Sequence, residues 1–153
     1  MAPPTRYLED FHPGQELDLG SFRLSEAEII EFAQRFDPQP FHTDPEAAQD
    51  SPFGGLIASG WHSAAATMRL MVDHFIPRES SMGSPGIDEL RWTRPVRPDD
   101  TISVVYHIHD VVPSRSRPDR GHIRGEAVAT NQDGEVVMTF HGRGIYRRRP
   151  QAG

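Results

Sequence analysis

Cysteine is absent from the 153 residues, so disulfides, thiol nucleophiles and thiolate metal sites are all excluded. Positive charge is in short supply. The 16 Lys and Arg stand against 22 Asp and Glu, a formal net charge of −6, which argues against the clustered basic surface that nucleic acids require. Long apolar runs are missing too: no stretch approaches the roughly 18 residues that span a bilayer, and Met1 to Asp10 has no continuous apolar run after its single Arg. These absences set the expectation of a cytoplasmic chain with no membrane and no nucleic-acid partner.

What is present fits one globular, loop-rich domain across 1–153, with a core from about 11 to 147. Hydrophobic residues make up 36% and charged residues 25%, and 14 Pro and 13 Gly are spread along the chain, which fits neither a disordered nor a fibrous class.

Leu17 and Leu19 alternate with polar neighbours after the Pro13-Gly14 turn, predicting a first strand that ends near Phe22. Ser25-Glu26-Ala27-Glu28 has the form of a capping box, and Ile29, Phe32, Ala33 and Phe36 follow at helical spacing until Asp37-Pro38 stops the helix. Asp44-Pro45 reads as a cap with first-turn proline opening a short helix through Ala48. From Ser59 to Pro77 the pattern predicts a longer central helix, with Trp61, Ala64, Ala65, Met68, Val72 and Phe75 on its packed face and Leu70 and Met71 widening it. Four strands are then expected, at Ile87 to Trp92, Ile102 to Ile108, Ile123 to Thr130 and Val136 to Tyr146, with an Asp133-Gly134 hairpin before the last. Helices and strands kept apart in this way favour an α+β fold with an antiparallel sheet of about five strands against one main helix.

The stretch from Phe36 to Asp44 carries the chemistry. Asp37-Pro38-Gln39-Pro40-Phe41-His42 sets a carboxylate and an imidazole five positions apart on a proline-stiffened turn, and acid–base catalysis needs such fixed groups within hydrogen-bond reach of the proton they move. Imidazole suits the work because its unperturbed pKa lies near neutrality.

This segment resembles the Asp-x-Asn-Pro-x-His hallmark of the MaoC-like, (R)-specific enoyl-thioester hydratases of the hotdog superfamily. Gly54-Gly55-Leu56-Ile57-Ala58-Ser59-Gly60 is similar to that family's approach to its central helix, and Arg94-Pro95-Val96-Arg97-Pro98-Asp99-Asp100 to its strand-linking turn. The likeness runs from about Phe11 to Tyr146. Departures stand at Phe36, where hydratases commonly have Gly, at Gln39 in place of Asn, and at Ser59 in place of His.

The resemblance implies a sheet wrapped around the central helix in a hotdog fold, and a homodimer whose two sheets join edge to edge with the pocket at the subunit interface. It implies an enzyme without a resident cofactor, acting on a coenzyme A or similar acyl thioester. The reaction would be reversible syn addition of water to a trans-2-enoyl thioester, giving the (R)-3-hydroxyacyl thioester. Asp37 would be the base, His42 would orient the water and move the proton at the α-carbon, and Gly60 at the helix start would offer its N–H to the thioester oxygen. Gly60 has the alternative of simply permitting close packing. Two other functions stay open: a hotdog thioesterase, against which His42 argues, and a non-catalytic acyl-thioester-binding dimer.

Other polar groups read more blandly. Asp44 is expected to cap a helix rather than act in catalysis. His107 and His109 alternate on one strand and would need His122 or His141 to complete a metal site, so an exposed sheet face is favoured and no metal is expected. Arg143 and Arg147-Arg148-Arg149 would suit carrier phosphates, with a solvated tail the favoured reading. Trp61 and Phe53 are candidates for the acyl pocket wall or the core.

Overall fold

The structure, a computed structural model, describes residues 5–151; the outermost residues of the expected 1–153 span, 1–4 and 152–153, lie outside it. Its elements run β1 (Glu16–Arg23), α1 (Glu26–Phe36), α2 (Pro40–Thr43), α3 (Pro45–Gln49), α4 (Gly60–His74), β2 (Gly86–Trp92), β3 (Thr101–Pro113), β4 (Arg120–Thr130) and β5 (Val136–Arg147). The five strands form one antiparallel sheet in the order β1-β3-β4-β5-β2, the α+β hotdog arrangement expected from the resemblance.

Period-2 alternation explains which sheet face meets α4. Ile102, Val104, Tyr106 and Ile108 on β3 point the same way as Ile123, Ala127 and Ala129 on β4, and all are buried. Phe75, just past α4, lies 4.5 Å from the Tyr106 ring, and Met71 joins the same cluster, so the last turn of the helix is pinned to the sheet. The opposite sheet face carries His107, His109 and Glu126, partly or fully exposed.

Only part of the face that the sequence predicts for the central helix turns inward: Met71 and Phe75 are buried, and Ala64 and Leu70 pack against the core, as expected. Ser63, Thr67 and Met71 are its buried residues, whereas Trp61 is 59% and Met68 43% exposed, and Ala65 is exposed as well. α4 carries apolar residues on two stripes, and the stripe in line with Met71 and Phe75 follows the sheet, although its earlier positions are hydroxyls. The Ser25 capping box and the Asp44 cap form as expected, the Asp44 carboxylate accepting from the Glu46 and Ala47 amides at 3.0 and 3.2 Å.

Candidate active site

The single turn α2 was not expected from the sequence; Pro40 opens it at the position where a missing N–H costs nothing, and it carries His42. Asp37 closes α1 as its C-cap, its amide bonded to the Ala33 carbonyl. The two prolines leave Asp37 to Pro40 little conformational freedom, and His42 folds back toward Asp37. The Nε2 of His42 lies 3.3 Å from the Oδ2 of Asp37.

Each side chain is fixed by further bonds. His42, 5% exposed, places Nδ1 2.7 Å from the Ile57 carbonyl oxygen. A carbonyl only accepts, so Nδ1 carries the proton and Nε2 is the nitrogen turned to the carboxylate. Ile57 in turn donates its amide to the Phe41 carbonyl, tying α2 to the strand-like approach to α4. Asp37 accepts from Gln39 Nε2 on Oδ1 and from Ser59 Oγ on Oδ2, both at 2.7 Å. In the neutral imidazole, Nε2 and Oδ2 are two acceptors face to face. They are stable together only when a proton or a donor molecule lies between them, and 3.3 Å is close enough for one water to contact both.

Burial pushes the Asp37 carboxyl up, but the hydrogen bonds from Gln39 and Ser59, helped by the charge of His42 whenever that ring is protonated, outweigh it and hold the group below its ordinary value. A carboxylate depressed in the folded state stabilises the fold above its unfolded pKa, and that contribution is lost as pH falls through the folded value. The stability gap between the wild type and Asp37→Asn is therefore expected to be full at neutral pH and to shrink once pH drops below the ordinary carboxylate range. Paired urea unfolding curves across that range check it, and a gap that widened toward acid would contradict it.

Beside His42 opens a cavity of about 350 Å³, lined by Phe41, His42, Phe53, Ile57, Ala58, Gly60, Ser63, Val96, Val137 and the 92–95 segment, with Asp37 behind the imidazole rather than in the wall. Its walls are mostly apolar, with Ser63 the buried hydroxyl among them. Phe53 thus lines the pocket, and Trp92 takes the place considered for Trp61, which instead meets Trp92 edge-on at 5.2 Å. Trp92 also explains why position 60 is glycine. Its Nε1 donates to the Gly60 carbonyl at 3.0 Å, and a Cβ at Gly60 would come within 2.6 Å of that nitrogen and closer still to the ring carbons.

Gly60→Ala is accordingly expected to expel the indole from its seat and to cost about 1–3 kcal/mol, the usual penalty for overpacking. A fall in thermal midpoint with a changed tryptophan emission would register it. An unchanged protein would mean that Trp92 is free to move.

The remaining candidates lie elsewhere. His107 pairs with Glu16 at 3.3 Å, and His141 sits 3.4 Å from Glu89 and 3.2 Å from Glu126 on the outer sheet face. Among the described residues no group of three or more His, Cys, Asp or Glu side chains is placed to hold a metal ion. Arg149 is engaged rather than free, forming a two-pronged pair with Asp10 and lying over the Tyr7 ring. Sequence reasoning missed Ser59 and the Gln39 side chain as donors to Asp37. In the sequence both stand only as departures from the family's motif, Gln39 in place of Asn and Ser59 in place of His.

A model of the MaoC like domain matches residues 10–130, which takes in both Asp37 and His42. The chain belongs to the MaoC-like family. Among curated proteins, this MaoC-like chain is 30% identical over 109 residues to the uncharacterized protein YdeM of Bacillus subtilis, covering 71% of this chain and 77% of that protein. It is 33% identical over 105 residues to protein MaoC of Klebsiella aerogenes, covering 68% of this chain but 31% of that longer protein. The structure of a MaoC-like dehydratase from Rhodospirillum rubrum superposes with a TM-score of 0.88 at 44% identity, over 95% of this chain and 99% of that one. An R-hydratase of Pseudomonas aeruginosa shares the fold, with a TM-score of 0.78 at 22% identity over 97% and 93% of the two chains. No helix of the described residues is long and apolar enough to cross a membrane.

Proposed function

We propose that this MaoC-like protein hydrates trans-2-enoyl thioesters reversibly to (R)-3-hydroxyacyl thioesters. The observation that carries this reading is the 3.3 Å approach of His42 Nε2 to Asp37 Oδ2, with a largely apolar cavity and a helix start beside it.

Asp37, held ionised, accepts a proton as the water oxygen bonds to the β-carbon and the double bond's electrons move onto the thioester oxygen. The first amides of α4 have no intrahelical partner and lie at the positive end of the helix dipole, so the Gly60 N–H is suited to that oxygen. The proton then returns to the α-carbon by way of His42, and the thioester carbonyl reforms. Atoms balance: one water is added, and both catalytic groups recover their starting state.

A cavity of about 350 Å³ is at the small end for ligand sites, which supports a short acyl chain, with the carrier outside. The assembly implied is a homodimer joined along β2, a reading supported by the position of β2 at the edge of the sheet with Ile87 and Trp92 exposed on it.

Incubating the purified protein with crotonyl-coenzyme A, while following both enoyl absorbance and free thiol, tests the reaction class. Loss of absorbance without thiol is expected. Thiol release at the same rate would make it a thioesterase, and no change in either would remove the enzymatic reading.

A further inference from the structure

Ser59 occupies the N-cap of α4, where serine ordinarily accepts a bond from an amide of the first turn and contributes about 1 kcal/mol to the helix. Here it does not. The hydroxyl makes no capping bond and instead donates across 22 positions to Asp37 Oδ2, at 2.7 Å, from a residue that is 0% exposed. The oxygen it holds is the one that faces His42 Nε2.

The consequence is geometric. A carboxylate oxygen offers two lone-pair directions, and with Ser59 bound along one, the other is left toward the imidazole and whatever lies between. Gln39 holds Oδ1 in the same manner, which stops the carboxylate from rotating about its Cβ–Cγ bond. Gln39 is exposed and two residues away, whereas Ser59 is buried and belongs to the helix start that also carries Gly60. One residue therefore sets the spacing between the Asp37–His42 pair and the first amides of α4.

We infer that Ser59 is a positioning residue that orients Asp37 Oδ2 toward His42 and couples the acid–base pair to the N-terminus of α4. This rests on the hydratase reading for its effect on turnover, but not for its effect on the carboxyl group. His42 is the titratable side chain acting on Asp37; the donors from the neighbouring turn and from α4, Gln39 and Ser59, are neutral.

The test compares Ser59→Ala and Ser59→Thr with the wild type by two measurements. The first is crotonyl-coenzyme A kinetics. Ser59→Ala is expected to lower kcat by about tenfold or more with KM little changed, the usual scale for losing one hydrogen bond to a charged group, and Ser59→Thr to restore most of it. The second is titration of the Asp37 carboxyl carbon by NMR in a selectively labelled protein, which needs no activity. Its midpoint is expected to rise in Ser59→Ala and to return in Ser59→Thr. Because the hydroxyl caps nothing, Ser59→Ala should lose only the bond to Asp37, so its thermal midpoint should fall below the wild type at neutral pH and approach it once pH drops below the ordinary carboxylate range.

A wild type without turnover, but with the Asp37 midpoint still shifted by Ser59→Ala, would overturn the hydratase reading and leave the coupling standing. An active wild type in which Ser59→Ala changes neither kcat nor the midpoint would overturn the inference alone.

Discussion

Replacing Asp37 with Asn is expected to reduce hydration of crotonyl-coenzyme A by about 10²–10⁴-fold, the range that a positioned general base contributes. The substitution is nearly isosteric. The Asn carbonyl can still accept the Ser59 hydroxyl now bonded to Asp37 Oδ2, so the local path from α1 to α2 should persist. What disappears is the capacity to take a proton from water and to carry a charge beside His42. Turnover and the thermal midpoint measured on the same preparation separate the two effects: a folded, inactive protein is expected, and a folded protein with near-native turnover would remove Asp37 from the mechanism.

His42→Ala is expected to match that loss of turnover and to add a structural cost. The imidazole is buried and donates to the Ile57 carbonyl at 2.7 Å, so its removal leaves that acceptor without its donor, at about 1–3 kcal/mol, and opens a void beside Phe41. A lower thermal midpoint than in Asp37→Asn should result. On the proposed mechanism the two groups hand one proton between them, so the double variant should be scarcely slower than either single one. Losses that multiplied would mean that the two residues act in separate steps.

Much of the fold was legible because its signals are local. The Ser25 capping box, the Asp44-Pro45 helix start and the alternation along β3 each follow from the chemistry of a few adjacent residues, and each forms where expected. The buried stripe of α4 was legible at Met71 and Phe75 but not at Ser63 and Thr67, because hydrophobic periodicity cannot choose between two partly apolar stripes. That choice is made by Tyr106 and the sheet, which grip Phe75 and Met71 and so carry Ser63 and Thr67 inward. The turn α2 is too short to show a period.

The site divides in the same way. Asp37 and His42 were visible as a spaced pair on a stiff turn, and they meet at 3.3 Å. Gly60 was visible as a helix-start glycine, but its dependence on the Trp92 indole involves a strand 32 positions away. Ser59 was visible only as a departure from the motif, and a serine before a helix is as a type a common cap. Only the direction of its hydroxyl tells the two roles apart.

Hydration in deuterium oxide tests most directly whether one carboxylate–imidazole pair adds both parts of a single water from one side. Crotonyl-coenzyme A is converted, and the configuration at both carbons of the product is read by NMR. The expected product is the (R)-3-hydroxy thioester with a single deuterium on the α-carbon, on the face that received the oxygen. Deuterium on the opposite face, or on both faces equally, would contradict the account.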